Sequence, residues 1–162
     1  MSRETIVNEI INRKAVAVIS INDKNTLLSV VDAIVEGGIS VLEVTLRVPN
    51  AIELIAFLTS EYQKDVIIGV GTVIRPEQAE LAINAGAKFV VSPIFKKEII
   101  ETAHKYDVPA MPGCFTPTEI LTAWECGADV VKVFPADVLG MPFFRGILAP
   151  MPYLKIMPTG GA

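Results

Sequence analysis

No apolar run in this chain of 162 residues approaches the ~18 that a membrane-spanning helix needs. The first residues, Met1-Ser2-Arg3-Glu4-Thr5, lack the apolar stretch of a secretory signal. A membrane partner is therefore not expected. Basic clusters are missing as well. The 14 Lys and Arg and the 18 Asp and Glu are dispersed and sum to a net charge of −4, which argues against a nucleic-acid surface. Cysteine is scarce: Cys114 and Cys126 are the two, without metal-ligand spacing. Both thiols are expected to be free, in a reducing cytoplasm. Histidine is scarcer. His104, the only one, falls on a charged helical face and reads as solvated. A His-based triad is thereby excluded, and a divalent metal has few ligands to draw on. Low-complexity segments and linkers are absent, so residues 1–162 read as a single domain.

What the chain does contain is alternation. Half of it is apolar, at 51%. Short apolar runs occur at 15–20, 41–47, 66–73, 89–94, 110–114, 130–135 and 155–159. Amphipathic helical patterns lie between them at 25–36, 50–62, 76–85, 96–106 and 117–126. Thr116-Pro117-Thr118-Glu119 supplies an N-cap, a proline at the first helical position and a capping-box glutamate. Gly37-Gly38, Gly86 and Gly127 stand where a left-handed C-cap residue is wanted. After Gly38, Gly86 and Gly127 come two linker residues and then an apolar strand, the second, fourth and sixth of the series. Strands alternating with helices imply parallel pairing and right-handed crossovers. Strands apolar on both faces imply a sheet covered on both sides. A doubly wound sheet and a (β/α)₈ barrel both fit. The first run leads into Ser20-Ile21-Asn22-Asp23 rather than a Gly-x-Gly-x-x-Gly turn, so the barrel is the expected fold.

Lys132 stands alone in the apolar run Val130-Val131-Lys132-Val133-Phe134-Pro135. Burying an ammonium costs several kcal/mol unless it is paired or deprotonated. Two readings are open: a structural lysine salt-bridged at a strand end, or a desolvated amine acting as a carbonyl nucleophile. On the second strand, Glu43, Thr45 and Arg47 share one face and Leu42, Val44 and Leu46 the other. If the apolar face meets the helices, the polar triplet looks into the barrel. Glu43 and Lys132 each follow their capping glycine by five residues, both on even-numbered strands. Alternate strands contribute to one interior layer, so the two are expected at similar height, facing each other. Gly69-Val70-Gly71 before Thr72 reads as barrel packing or as room for a ligand, with packing preferred. Thr159-Gly160-Gly161 ends the last run as a turn or a backbone phosphate site.

Six segments then appear in order: Leu42-Glu43-Val44-Thr45-Leu46-Arg47, Gly69-Val70-Gly71-Thr72-Val73, Val91-Ser92-Pro93, Met111-Pro112-Gly113, Val131-Lys132-Val133-Phe134-Pro135 and Pro158-Thr159-Gly160-Gly161. Together they resemble the KDPG/KHG aldolase family, which acts on 2-keto-3-deoxy-6-phosphogluconate and 4-hydroxy-2-oxoglutarate. The resemblance implies a (β/α)₈ barrel, a homotrimer and a class I aldolase with no metal or other cofactor, releasing pyruvate from a small keto acid. It implies that Lys132 forms the Schiff base and that Glu43 shuttles protons. Arg47 and Thr72 would hold the pyruvoyl carboxylate. Pro93, Phe134 and Thr159 would line the pocket, and Gly160 and Gly161 would form part of a phosphate site.

Members of this family continue beyond the Thr-Gly-Gly turn with a further helix, an eighth strand and a closing helix. Seven strands do not close the usual barrel, so the first and last are expected to have open edges. The sequence is accordingly expected to be part of a longer chain. Two alternatives to the aldolase named above stand beside it. One is a related aldolase for 2-keto-3-deoxy-6-phosphogalactonate or another keto acid. The other is a noncatalytic barrel fragment serving in assembly or binding.

Overall fold

Strands and helices alternate throughout the computed structural model, which describes residues 1–21, 23–63 and 65–160, the side chains of Lys24 and Asn25 excepted. Helix α1 (Arg3–Arg13) comes first. Then follow β1 (Ala17–Ile19), α2 (Lys24–Glu36), β2 (Val41–Thr45), α3 (Ala51–Tyr62), β3 (Ile67–Gly71), α4 (Pro76–Asn84), β4 (Val90–Val91) and α5 (Lys97–Lys105). The second half holds β5 (Ala110–Met111), β6 (Gly113–Cys114), α6 (Pro117–Glu125), β7 (Val131–Val133), a 3₁₀ turn (Ala136–Val138), α7 (Gly140–Leu148) and β8 (Ile156–Pro158). All described strand pairs are parallel, in the orders β1-β2-β3-β4-β5 and β6-β7-β8.

The run at 110–114 serves both sheets. Met111 C=O accepts from Ser92 N–H at 3.1 Å on one side, and Cys114 C=O accepts from Phe134 N–H at 3.0 Å on the other. Pro112 between them has no N–H to donate, and the ladder is interrupted there. The seven expected runs are thus seven positions in one curved parallel array, an incomplete (β/α)₈ barrel. β1 and β8 are its two ends and do not pair with each other.

Local chemistry sets the helix ends. Thr116 Oγ1 accepts the Glu119 N–H, and the Glu119 carboxylate accepts the N–H groups of Thr116 and Phe115. Gly38, Gly86 and Gly127 take φ of 90°, 109° and 95°, a region where a side chain is strained.

Two helices lie outside the expected set. α7 begins Gly140-Met141-Pro142, residues that usually punctuate loops, but proline is tolerated in a first turn because N–H groups there have no partner to lose. α1 has a mixed, charge-rich sequence whose Ile6, Val7 and Ile10 are buried. Those three pack on Val41, Ile67, Phe89, Val91, Met111 and Val130, residues of five strand segments pointing into the barrel. α1 therefore floors the barrel. A second, larger core lies between the sheet and the outer helices.

His104 is the other departure. Instead of being solvated, its Nε2 lies 2.9 Å from Asp129 Oδ2. The same carboxylate accepts the Ala110 N–H at 2.9 Å and faces the Arg3 guanidinium at 3.4 Å. It joins α1, α5 and β5 to the start of β7.

Ile6 is 1% exposed, so Ile6→Ala should remove roughly 2–5 kcal/mol of stability. Urea denaturation monitored at Trp124 is the check; a loss below about 0.5 kcal/mol would mean that the floor contributes little.

Candidate active site

Inward-pointing positions follow the two-residue period of each strand. On β2 they are Val41, Glu43 and Thr45; on β3 they are Ile67, Gly69 and Gly71. Register sets Glu43 beside Gly69 and Thr45 beside Gly71. On the opposite side, Lys132 of β7 pairs with Gly113 of β6 and Met157 of β8. The structure brings Lys132 and Glu43 together: Nζ and Oε1 are 3.9 Å apart, with the residues 5% and 1% exposed.

This separation is longer than a hydrogen bond. Burial pushes the Glu43 carboxyl above its ordinary range, against the pull of the Lys132 ammonium. Burial likewise holds the Lys132 amine below the usual lysine range, and the Glu43 carboxylate opposes it. In both cases desolvation is the larger influence, so each group moves toward its neutral form. The Phe134 ring lies 5.1 Å from Nζ. It screens the amine from water on that side and offers it a π-face.

The interior glycines have distinct jobs. A Cβ on Gly69 would lie 2.5 Å from the Phe89 ring, which is packing. A Cβ on Gly71 would lie 1.9 Å from Glu43 Oε1. Gly71 thus leaves the space that the acid occupies. Gly113 does the same for the backbone of Pro93, at 2.4 Å. Both glycines of Gly69-Val70-Gly71 make room for a neighbouring side chain, the first for Phe89 and the second for Glu43.

A cleft of about 1230 Å³ opens above this pair and runs between β1 and β8. Thr45 and Arg47 reach it from β2 and its following turn, and Thr72 and Pro93 from the loops after β3 and β4. Phe134, Thr159 and Gly160 enter from the other side. Gly161 lies outside the described residues. Arg47 was expected on the inner face of the strand. Instead β2 ends at Thr45, and the Val48 N–H bonds the Thr45 C=O at 3.0 Å, closing a turn that carries Arg47. The guanidinium is exposed and has no ion-pair partner among the described residues, yet lines the same cleft. Thr72 sits just past β3 at φ 62°. Left-handed backbone at a β-branched residue costs roughly 1–3 kcal/mol and is found where structure serves a site. Gly160 has φ 130°, and a Cβ there would lie 2.9 Å from Asp137 Oδ1. Asp137 and Ser20 also line the cleft and were not among the expected residues; Asp137 lies in the stretch where the sequence pattern assigned no element. No three His, Cys, Asp or Glu side chains come together as a ligand set among the described residues.

A family profile described as KDPG and KHG aldolase matches residues 6–162. The 2-dehydro-3-deoxy-phosphogluconate aldolase of Treponema pallidum is 38% identical over 158 residues, covering 97% of this chain and 75% of its own. The 2-dehydro-3-deoxy-6-phosphogalactonate aldolase of Escherichia coli is 32% identical over 135 residues, covering 83% and 66%. Among solved structures, the KDPG aldolase of Legionella pneumophila with pyruvate captured at low pH as a covalent carbinolamine intermediate matches with a TM-score of 0.83 and 36% identity, over 91% of this chain and 71% of that one. A cube-shaped cage designed by fusing symmetric oligomeric domains matches with a TM-score of 0.84 and 30% identity, over 91% and 55%.

Lys132→Met gives a pH test of the buried pair. It removes the one cation that lowers the Glu43 pKa, so that pKa should rise further. A raised folded-state pKa favours the protonated folded form, and its stability is lost as pH climbs from the unfolded value of 4.5 through the folded one. The melting temperature of Lys132→Met should therefore fall as pH rises above 4.5, and the fall should vanish in Lys132→Met combined with Glu43→Gln. Parallel pH profiles for the single and double variants would refute the coupling.

Proposed function

Because the chain belongs to the KDPG and KHG aldolase family, we propose that it is a class I aldolase. Its substrate is 2-keto-3-deoxy-6-phosphogluconate, split into pyruvate and glyceraldehyde 3-phosphate, or 4-hydroxy-2-oxoglutarate, split into pyruvate and glyoxylate. The observation that carries this reading is the buried Lys132–Glu43 pair, 3.9 Å apart at the base of the cleft. A desolvated amine beside a carboxyl whose pKa burial raises is equipped for imine chemistry.

In this reading the neutral Lys132 amine attacks the C2 ketone. Glu43 supplies the proton that lets the carbinolamine lose water. The protonated imine then draws the electrons of the C3–C4 bond as it breaks, while Glu43 takes the C4 hydroxyl proton. The iminium is the electron sink, so the cleavage needs no metal. Arg47 suits the pyruvoyl carboxylate because it lines the cleft without an ion-pair partner among the described residues, and its guanidinium can bind two oxygens at once. Thr72 lines the same cleft. Pro93, Phe134 and Thr159 shape the pocket, and Gly160 offers a backbone N–H to a phosphate.

The Escherichia coli relative favours a second substrate, 2-keto-3-deoxy-6-phosphogalactonate, which differs in stereochemistry and uses the same chemistry. The likeness to a cage built from oligomeric domains supports an oligomer, and the family resemblance favours a homotrimer. Two free thiols suit a reducing cytoplasm.

Borohydride added with pyruvate should fix a covalent adduct on Lys132, located by peptide mass. Lys132→Ala should abolish it. So should Lys132→Arg, because a guanidinium stays protonated. Turnover should survive a strong chelator. Protein that forms no adduct would leave the noncatalytic module as the better description.

Arg47→Lys keeps the charge and loses the planar fork. The Michaelis constant for the keto acid should rise about tenfold, in line with one charge-assisted bond lost. An unchanged constant would take Arg47 out of the carboxylate role.

A further inference from the structure

Three buried side-chain oxygens among the described residues have no hydrogen-bond partner: Glu43 Oε2, Thr45 Oγ1 and Thr59 Oγ1. Thr59 belongs to α3, packs beside Gly86 and lies outside the cleft. The other two share the cleft and are two residues apart on β2, so they leave the strand on one face. Thr45 is the register partner of Gly71, and Glu43 Oε1 fills the space of the missing Gly71 side chain. The Glu43 carboxyl therefore leans up the barrel to the level of Thr45.

An orphaned buried hydroxyl is costly, at roughly 1–3 kcal/mol. Valine would fill the same shape without that cost. Thr45 is 4% exposed, so bulk water does not relieve it. Its hydroxyl can donate and accept, and the carboxyl oxygen can accept or, when protonated, donate. The two do not bond each other. Both suit one small group between them that has an O–H and a lone pair.

We propose that Thr45 is the second anchor of the oxygen that Glu43 protonates, the hydroxyl of the carbinolamine formed on Lys132. This rests on the aldolase reading above. The hydroxyl donates its O–H to Thr45 Oγ1 and turns a lone pair toward Glu43. Glu43 transfers its proton to that oxygen and becomes a carboxylate. The C2–O bond breaks, its electron pair leaves with the oxygen as water, and the nitrogen lone pair of Lys132 closes the C=N bond of the protonated imine. In the reverse step the same two groups hold the attacking water. Thr45 thus fixes the direction in which water departs and returns.

The test compares Thr45→Val and Thr45→Ser by rapid-quench borohydride trapping with pyruvate, alongside thermal unfolding. Thr45→Val should form the trapped adduct about tenfold more slowly or worse, reach the same final extent, and melt at or above the temperature of the unchanged protein. Thr45→Ser should restore the rate to within about threefold. A Thr45→Val variant with the unchanged rate overturns the proposal. So does a slow variant that also melts several degrees lower, since Thr45 would then only support the fold. Equal slowing in Thr45→Val and Thr45→Ser overturns it as well, because the hydroxyl would not be the cause. An unchanged protein that traps no pyruvate overturns the aldolase reading itself, and the proposal with it.

Discussion

Taking an amine and a carboxyl out of water costs each of them several kcal/mol, and at 3.9 Å their attraction returns only part of that. Much of the barrel's design can be understood as the means of holding this pair in place. Gly71 has no side chain, so the Glu43 carboxyl has a place to lie. Phe134 covers the amine. Apolar side chains from α1 and five strand segments keep the floor dry. The stability that these layers of packing provide is what lets the pair remain buried, and its displaced protonation equilibria are the outcome that chemistry can use.

The central geometry was legible in the sequence because it follows from counting. Glycine in the left-handed conformation marks the start of each repeat, and five residues later the chain has reached the same height in a parallel barrel. Glu43 and Lys132 satisfy that count, and the two-residue period sends both inward. The limits of the reading are equally physical. Which glycine makes room for which neighbour depends on register between strands, so the different duties of Gly69 and Gly71 were not visible. Arg47 continued the alternation on paper, but a Thr45–Val48 turn ends the strand before it. His104 and Asp129 are 25 residues apart and meet only when α5 and β7 are assembled. α7 was hidden by its own Gly140 and Pro142, which punctuate loops more often than helices.

The cleft owes its size to the unpaired ends of the array. Val18 on β1 is 47% exposed, and Met157 on β8 is half-buried beside the site. These are interior-facing positions of a barrel, left open where β1 and β8 do not meet. The Treponema pallidum relative is longer by about a quarter of its own length. In a closed eight-stranded barrel a further parallel strand would join these two edges and narrow the cleft from the side, leaving the C-terminal mouth as the way in.

The floor has a consequence for how the chain is made. Ile6, Val7 and Ile10 are translated before the surface that buries them, which includes Val41, Ile67, Phe89, Met111 and Val130. That surface is not complete until Val130 has left the ribosome. α1 thus waits for its seat, and its apolar face stays uncovered in the meantime. Contacts so far apart in sequence form slowly, and the uncovered face of α1 leaves the nascent chain open to aggregation or to chaperone capture.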